Sequence, residues 1–155
     1  SPIPNPHLNI KNFDIKINLF NIIKYKLKMD MNNFKENKKV VEIKNGDKNI
    51  DIKVILIKFI RSNILKNGGK ITTFLVGDDS GSIYCNFFDN VSNYIKEGDI
   101  LFITGAYSSL FEDSIVLYQP KIGYGHVTKI GEFFFPFSLK PNISEIKINP
   151  QNNNN

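Results

Sequence analysis

Residues 77–118 read GDDSGSIYCNFFDNVSNYIKEGDILFITGAYSSLFEDSIVLY, and they alternate and turn at regular short intervals. Asp78-Asp79-Ser80-Gly81 is tight-turn chemistry, because Asp and Ser side chains bond back to nearby backbone and Gly tolerates positive φ. Beyond it, Ser82–Phe88 has the period of a strand, with Ile83, Cys85 and Phe87 on one face and Tyr84, Asn86 and Phe88 on the other. The first set is the natural core face, with Cys85 as a small buried hydrophobe. Asn90–Ile95 places Val91, Tyr94 and Ile95 at helical spacing. Glu97-Gly98-Asp99 then turns the chain into Ile100–Tyr107, and Glu112-Asp113 turns it into Ser114–Tyr118.

Upstream, Ile50–Ile60 is a long β-branched run, Asn67-Gly68-Gly69 is a hairpin tip, and Lys70–Val76 continues as a strand. Five strands with a short helix between the third and fourth predict an all-β chain, a five-stranded OB-fold barrel with flexible N- and C-terminal extensions. An SH3-like barrel competes on pattern alone. Gly105 inside the fourth strand fits a point where a small barrel bends sharply. The expected organisation is a Lys/Asn-rich, weakly ordered extension over 1–48, the OB domain over 49–137, and a tail over 138–155 ending in an Asn run. Within the extension, residues 15–29 alternate imperfectly, closer to a strand period than a helical one. An extra strand, an amphipathic arm and disorder all remain open for them.

Net charge is +5 and the pI is near 9.2, which invites a nucleic-acid partner. Ten lysines against five acids place all of that excess in residues 1–49, whereas residues 50–155 carry ten cations and ten acids. Any nucleic-acid binding by the barrel must therefore rest on more than bulk charge. A lone cysteine, Cys85, excludes an intramolecular disulfide and fits a reducing compartment. No apolar run approaches the roughly 18 residues of a membrane span, so no membrane partner is expected. Residues 15–29 are interrupted by lysines and lack the pattern of a secretory signal.

Parity and loop position place Phe88, Tyr107, Phe111 and Tyr118 off the core, on three successive segments. Base–aromatic stacking is worth about 1–3 kcal/mol per base and tolerates any sequence. Rings that merely cover a small barrel, or pack under the tail, would follow the same parity. Arg61, Lys66 and Lys70 flank the loop between strands one and two, and Lys121 follows strand five. These four are the candidate phosphate contacts, against the alternative of solvated surface cations. The apolar Phe133–Phe137 (FFFPF) packs along the barrel as a closing strand or arm, or docks a partner. His7 and His126 lack neighbouring ligands, so no metal or other cofactor is expected. Asp78-Asp79 belongs to a turn, and no phosphate loop or nucleophile elbow occurs, so no enzyme activity is expected.

Several motifs occur in order across residues 45–145. They are the D-x-S-G-S-I turn, the aromatic-Asp after strand three, the x-G-D-I entry to strand four, and G-x-Y-x-S-x-F at 105–111. Leu117-Tyr118, KIGEF at 129–133 and Pro141-Asn142-x-Ser144-Glu145 follow. In these the chain resembles the OB-fold members of the SOSS complex, the sensor of single-stranded DNA family. The resemblance implies nuclear single-stranded DNA binding in damage response and repair, with Phe88, Tyr107, Phe111 and Tyr118 stacking on bases. It also implies two partners, an Integrator-derived helical scaffold subunit and a small third subunit. Phe133, Phe135, Phe137, Pro141 and Asn142 are the candidates for that contact. The family usually carries Trp where this chain has Phe88, Lys-Gly where it has Glu112-Asp113, and Gly-Arg-Gly-Gly after the position of Tyr118. A smaller platform and two acids near a phosphate path both act to weaken binding. An RNA-binding OB module and a protein-interaction barrel without strand binding are the alternatives.

Overall fold

The computed structural model describes residues 19–24, 26, 27 and 37–148. Residues 19–24 are helical, with Leu19, Phe20, Ile22 and Ile23 at least half exposed. The strand period expected for residues 15–29 thus gives way to helix where the segment is described. The remaining expectations for 1–36, and that for the terminal Asn run, lie outside the described residues.

Residues 37–148 carry six strands and one α-helical turn besides two 3-10 turns: β1 (Ile50–Ile64), β2 (Lys70–Asp78), β3 (Gly81–Phe88), α1 (Asp89–Ser92), β4 (Asp99–Phe111), β5 (Ser114–Tyr118) and β6 (Val127–Glu132). Hydrogen-bonded neighbours run β1-β2-β3-β5-β4, and β1 pairs with β4 to close the ring. All pairings are antiparallel except β3–β5, which joins only Cys85 to Leu117 and Asn86 to Tyr118. This closed five-strand connectivity, with the helical turn between β3 and β4, is the OB fold.

Alternation fills the interior. Ile52 and Val54 of β1, Val76 of β2, and Ile83, Cys85 and Phe87 of β3 are fully buried. Leu101, Ile103 and Leu117 meet them from β4 and β5, and Val91 and Ile95 pack against this core from α1 and the segment after it. The packed unit is wider than 49–137. Val40 (0% exposed) and Ile43 (3%) join the core from a 3-10 turn at Val40–Glu42, ahead of the expected boundary. Buried Asp78 holds that turn, accepting from the N–H of Val40 at 2.9 Å and of Ser80 at 2.8 Å.

At the other end, residues 138–148 form a strap rather than a loose tail. The N–H of Ser82 donates to Pro141 O (3.0 Å), and Ser82 and Asn142 form a parallel bridge. Ser144 (3% exposed) sits between β3 and β5 where these strands do not pair. Its Oγ accepts from the N–H of Tyr84 (2.9 Å) and donates to Ile115 O (2.6 Å), so one hydroxyl bridges the gap.

The connection from β5 to β6 crosses β4 closely enough that two glycines touch. Gly105 has φ +71°, and a Cβ there would lie 2.0 Å from Tyr124 O, while one on Gly125 would lie 1.8 Å from Thr104 O. The β1–β4 register also shifts between Ile50 and Ile52, opposite this point, so the bend expected at Gly105 is a bulge. Gly105→Ala is expected to destabilise the fold by about 1–3 kcal/mol, from left-handed backbone strain alone, with the steric clash adding to it. Thermal melting by circular dichroism checks this; an unchanged midpoint would mean that the connection swings aside freely.

Candidate nucleic-acid interface

Register builds an aromatic row. Tyr107 and Tyr118 are partners across the β4–β5 hairpin, and their rings stack at 5.1 Å with planes 8° apart. Asn86 is the β3 partner of Tyr118, so Phe88, two residues on and on the same face, lands on the other side of Tyr118. Those rings lie 6.4 Å apart at 15°. Phe88, Tyr118 and Tyr107 thus form one parallel row with Tyr118 in the middle, all half-buried at their bases. Burial, and secondarily Tyr118, push the Tyr107 phenol above its ordinary range, so it stays protonated at neutral pH. Lys121 holds its Nζ 5.5 Å over the Tyr107 ring, placing a cation at that end of the row.

Phe111 stands apart from the row. It is 47% exposed near the tip of the β4–β5 hairpin, with the Arg61 guanidinium 5.7 Å over its ring. This cation–π pair joins the β1–β2 hairpin to the β4–β5 hairpin. Between the hairpins runs a groove of about 490 Å³, floored by Ile71, Thr73, Tyr84, Asn86 and Val116. Arg61, Asn63 and Leu65 line one side, and Phe111, Glu112 and Ser114 the other. The strap supplies Ser144, Glu145 and Lys147 to the same groove.

Lys66 is exposed at the β1–β2 tip, while Lys70, half-buried, is tied by its backbone N–H to Asp89 Oδ1 at 2.7 Å. Among the described residues, the cations placed over aromatic rings are Lys53, Arg61 and Lys121, not these two. Glu112 and Asp113 both take positive φ (48° and 64°), making the two-residue hairpin turn that a right-twisted ribbon favours. Lys147 Nζ donates to Glu112 O (2.9 Å) and Ser114 Oγ (3.0 Å), so a cation sits on the acidic hairpin. Composition alone hides that cation, because it comes from the strap more than thirty residues later.

Phe133–Phe137 forms no strand; β6 just before it adds to the edge of β4, pairing over Asp99–Ile103, while β1–β4 closes the ring. Phe133 lies against Gly98, where a Cβ would sit 2.3 Å from its ring. Phe134 is 96% exposed, and Phe137 and Leu139 are about half exposed. Phe135 is half-buried. Pro141 and Asn142 already serve the fold: the first by its carbonyl to Ser82, the second by capping the 3-10 turn at Ser144. Among the described residues no group of three His, Cys, Asp or Glu is placed to hold a metal ion.

A closed five-strand ring with its groove over β2–β3, framed by the β1–β2 and β4–β5 hairpins, defines an OB-fold domain. No protein-family model matches the sequence. The structure is similar to the solution structure of hypothetical protein F20O9.120 from Arabidopsis thaliana, with 18% identity and a TM-score of 0.62 over 74% of this chain and 86% of that one. It also aligns with a crystal structure of a domain of replication protein A from Methanococcus maripaludis (17% identity, TM-score 0.49, 60% of this chain and 96% of that one). A solution structure of the second OB-fold domain of that protein gives 18% identity and a TM-score of 0.49, over 62% of this chain and 96% of that one. At these identities the likeness is one of fold.

Proposed function

We propose that the chain binds single-stranded DNA along the outer face of β2, β3 and β5, as the strand-binding member of a SOSS-type complex. The observation that carries this is the parallel row of Phe88, Tyr118 and Tyr107, with Lys121 over its Tyr107 end and a groove lined by Arg61 alongside. Flat rings held rigidly by strand register suit base stacking, and the few cations beside them suit a backbone followed lightly. Phe111 under Arg61 adds a fourth ring across the groove. In this reading the domain coats exposed strand in the nucleus during damage response and repair, and performs no chemistry. Its exposed Phe133, Phe134 and Phe137 meet the Integrator-derived helical scaffold subunit and the small third subunit.

The test is fluorescence anisotropy of labelled oligo-dT with the full chain and with residues 37–155, at two salt concentrations. If about three phosphates are neutralised, log affinity falls against log salt with a slope near −2 for the 37–155 unit. A much steeper slope for that unit would contradict a stacking-led mechanism. Competition with matched oligo-U separates DNA from RNA, and a strong preference for U would overturn the DNA assignment.

A further inference from the structure

The connection from β5 to β6 holds a large ring in solvent on a fixed support. β4 pairs with β5 over Tyr107–Phe111 and with β6 over Asp99–Ile103, so the connection leaves the sheet at the Tyr107 end of the aromatic row. Its start is tied to β3: Gln119 donates its N–H to Asn86 O (3.1 Å) and accepts at Oε1 from the N–H of Phe88 (2.9 Å). Its end is tied to β4. There the N–H of Thr104 donates to His126 O (2.9 Å), and the N–H of His126 donates to Thr104 O (3.2 Å) and Oγ1 (3.0 Å). Between the two ties lies one β-turn, closed by the Tyr124 N–H on Lys121 O at 2.9 Å, with Gly123 at φ +86°. On this turn Tyr124 is 71% exposed and Ile122 fully so.

We propose that Tyr124 is a further base platform, which carries a single strand past the Tyr107 end of the row and lengthens the site by about one nucleotide. This rests on the strand-binding reading above. Lys121 links the two rings. Its Nζ lies over Tyr107, and its backbone opens the turn that Tyr124 closes, which keeps the Cα atoms of Lys121 and Tyr124 within about 7 Å. A strand leaving Tyr107 thus meets a cation and then an exposed ring, the combination that sequence-tolerant strand binding uses. No acid occurs from 119 to 126, whereas the β4–β5 tip carries Glu112 and Asp113. Because both ends of the connection are hydrogen-bonded, the ring is in place before a base arrives, and less ordering entropy is lost on stacking. So exposed a ring adds little to the core, and the fold gives no reason for an aromatic at this position.

Anisotropy titrations of the full chain with labelled oligo-dT of increasing length test this, on wild type, Tyr124→Ala and Tyr124→Phe. Tyr124→Ala is expected to weaken long oligo-dT about five- to tenfold, the lower end of what one stacked base contributes. The shortest strand that binds wild type should lose less than about twofold, since it need not reach the turn. Tyr124→Phe keeps the ring and stays within about twofold of wild type at every length. The chain has no tryptophan, so Tyr124→Trp places a single emitter at the position. Long oligo-dT is expected to quench it by stacking, and the shortest strand to leave it unchanged. An alanine loss that does not grow with strand length, or a Trp emission that long strands leave unmoved, overturns the assignment. If the alanine variant unfolds, the emission decides alone. Wild type that binds oligo-dT of no length would instead overturn the strand-binding reading itself.

Discussion

Tyr118→Ala is expected to weaken oligo-dT binding by about one to two orders of magnitude, the largest effect of any single ring. Within the row, Tyr118 alone touches both other rings, Phe88 on one side and Tyr107 on the other. Its removal deletes one platform and leaves a gap between the remaining two, so more than one base step suffers. At about 1–3 kcal/mol per stacked base, one full loss together with one partial loss reaches this range. The fold should tolerate the change better than binding does, because Leu117, not Tyr118, fills the core at this end of β5. Tyr118→Phe keeps the ring and should bind within about threefold of wild type, as a neutral surface stack predicts. An alanine variant with intact melting and a dissociation constant within about threefold of wild type would remove the row from the mechanism. Phe111→Ala should cost less, since Phe111 stands outside the row with Arg61 for company.

The second large effect is on stability and comes from Ser144. Its hydroxyl is both acceptor for Tyr84 N–H and donor to Ile115 O, at a position 3% exposed. Ser144→Ala leaves a backbone donor on β3 and an acceptor on β5 facing each other with nothing between. A buried polar group without a partner costs about 1–3 kcal/mol, and here two are created. The melting midpoint should fall by at least about 5 °C, given the usual conversion for a domain of this size. Ser144→Thr retains the hydroxyl and should recover most of the loss if its extra methyl is accommodated. A midpoint for the alanine variant within about 1 °C of wild type would mean that water enters the gap at no cost. The groove would feel the same substitution, because Glu145 and Lys147 reach it from the same strap. Strand affinity measured on the folded alanine variant therefore separates support of the ring from support of the groove.

The parts of this fold that are legible in the sequence are those where one strand has a buried and an open face. β3 is the clearest: Ile83, Cys85 and Phe87 are fully buried, and Tyr84, Asn86 and Phe88 lie on the outer face, as their parity predicts. The same logic places Ile115 and Leu117 inward and Tyr118 outward. It is blind to elements whose neighbours come from far along the chain. β6 has no buried residue to betray it; it exists because the edge of β4 offers unpaired backbone groups. Val40 and Ile43 are two apolar residues in a stretch of Asn, Lys and Glu, and only the tertiary fold shows that both enter the core. β1 runs to Ile64 rather than ending at Ile60, because its last residues pair with β2 while standing clear of the core. The strap is hidden from periodicity for the same reason: the resemblance picks out Pro141-Asn142-x-Ser144-Glu145, but no strand or helix pattern shows that Ser144 is buried.

At the candidate site, parity identifies the rings but not their arrangement. That Phe88, Tyr118 and Tyr107 form one row, and Phe111 a separate pair with Arg61, depends on β3–β5 and β4–β5 register. Tyr124 lies outside any strand, in a connection where parity has nothing to say.

Cys85 gives the molecule an internal clock. It is the chain's single thiol, it lies fully buried in β3 between Tyr84 and Asn86, and burial pushes its ionisation far above the neutral range. A maleimide can therefore reach it only when the ring opens, so the labelling rate counts openings. Anything that binds the intact ring alone reduces the open fraction by the factor 1 + [L]/Kd. Alkylation followed by mass spectrometry would then report occupancy of the outer face from the opposite side of the same strand, with no dye on either molecule.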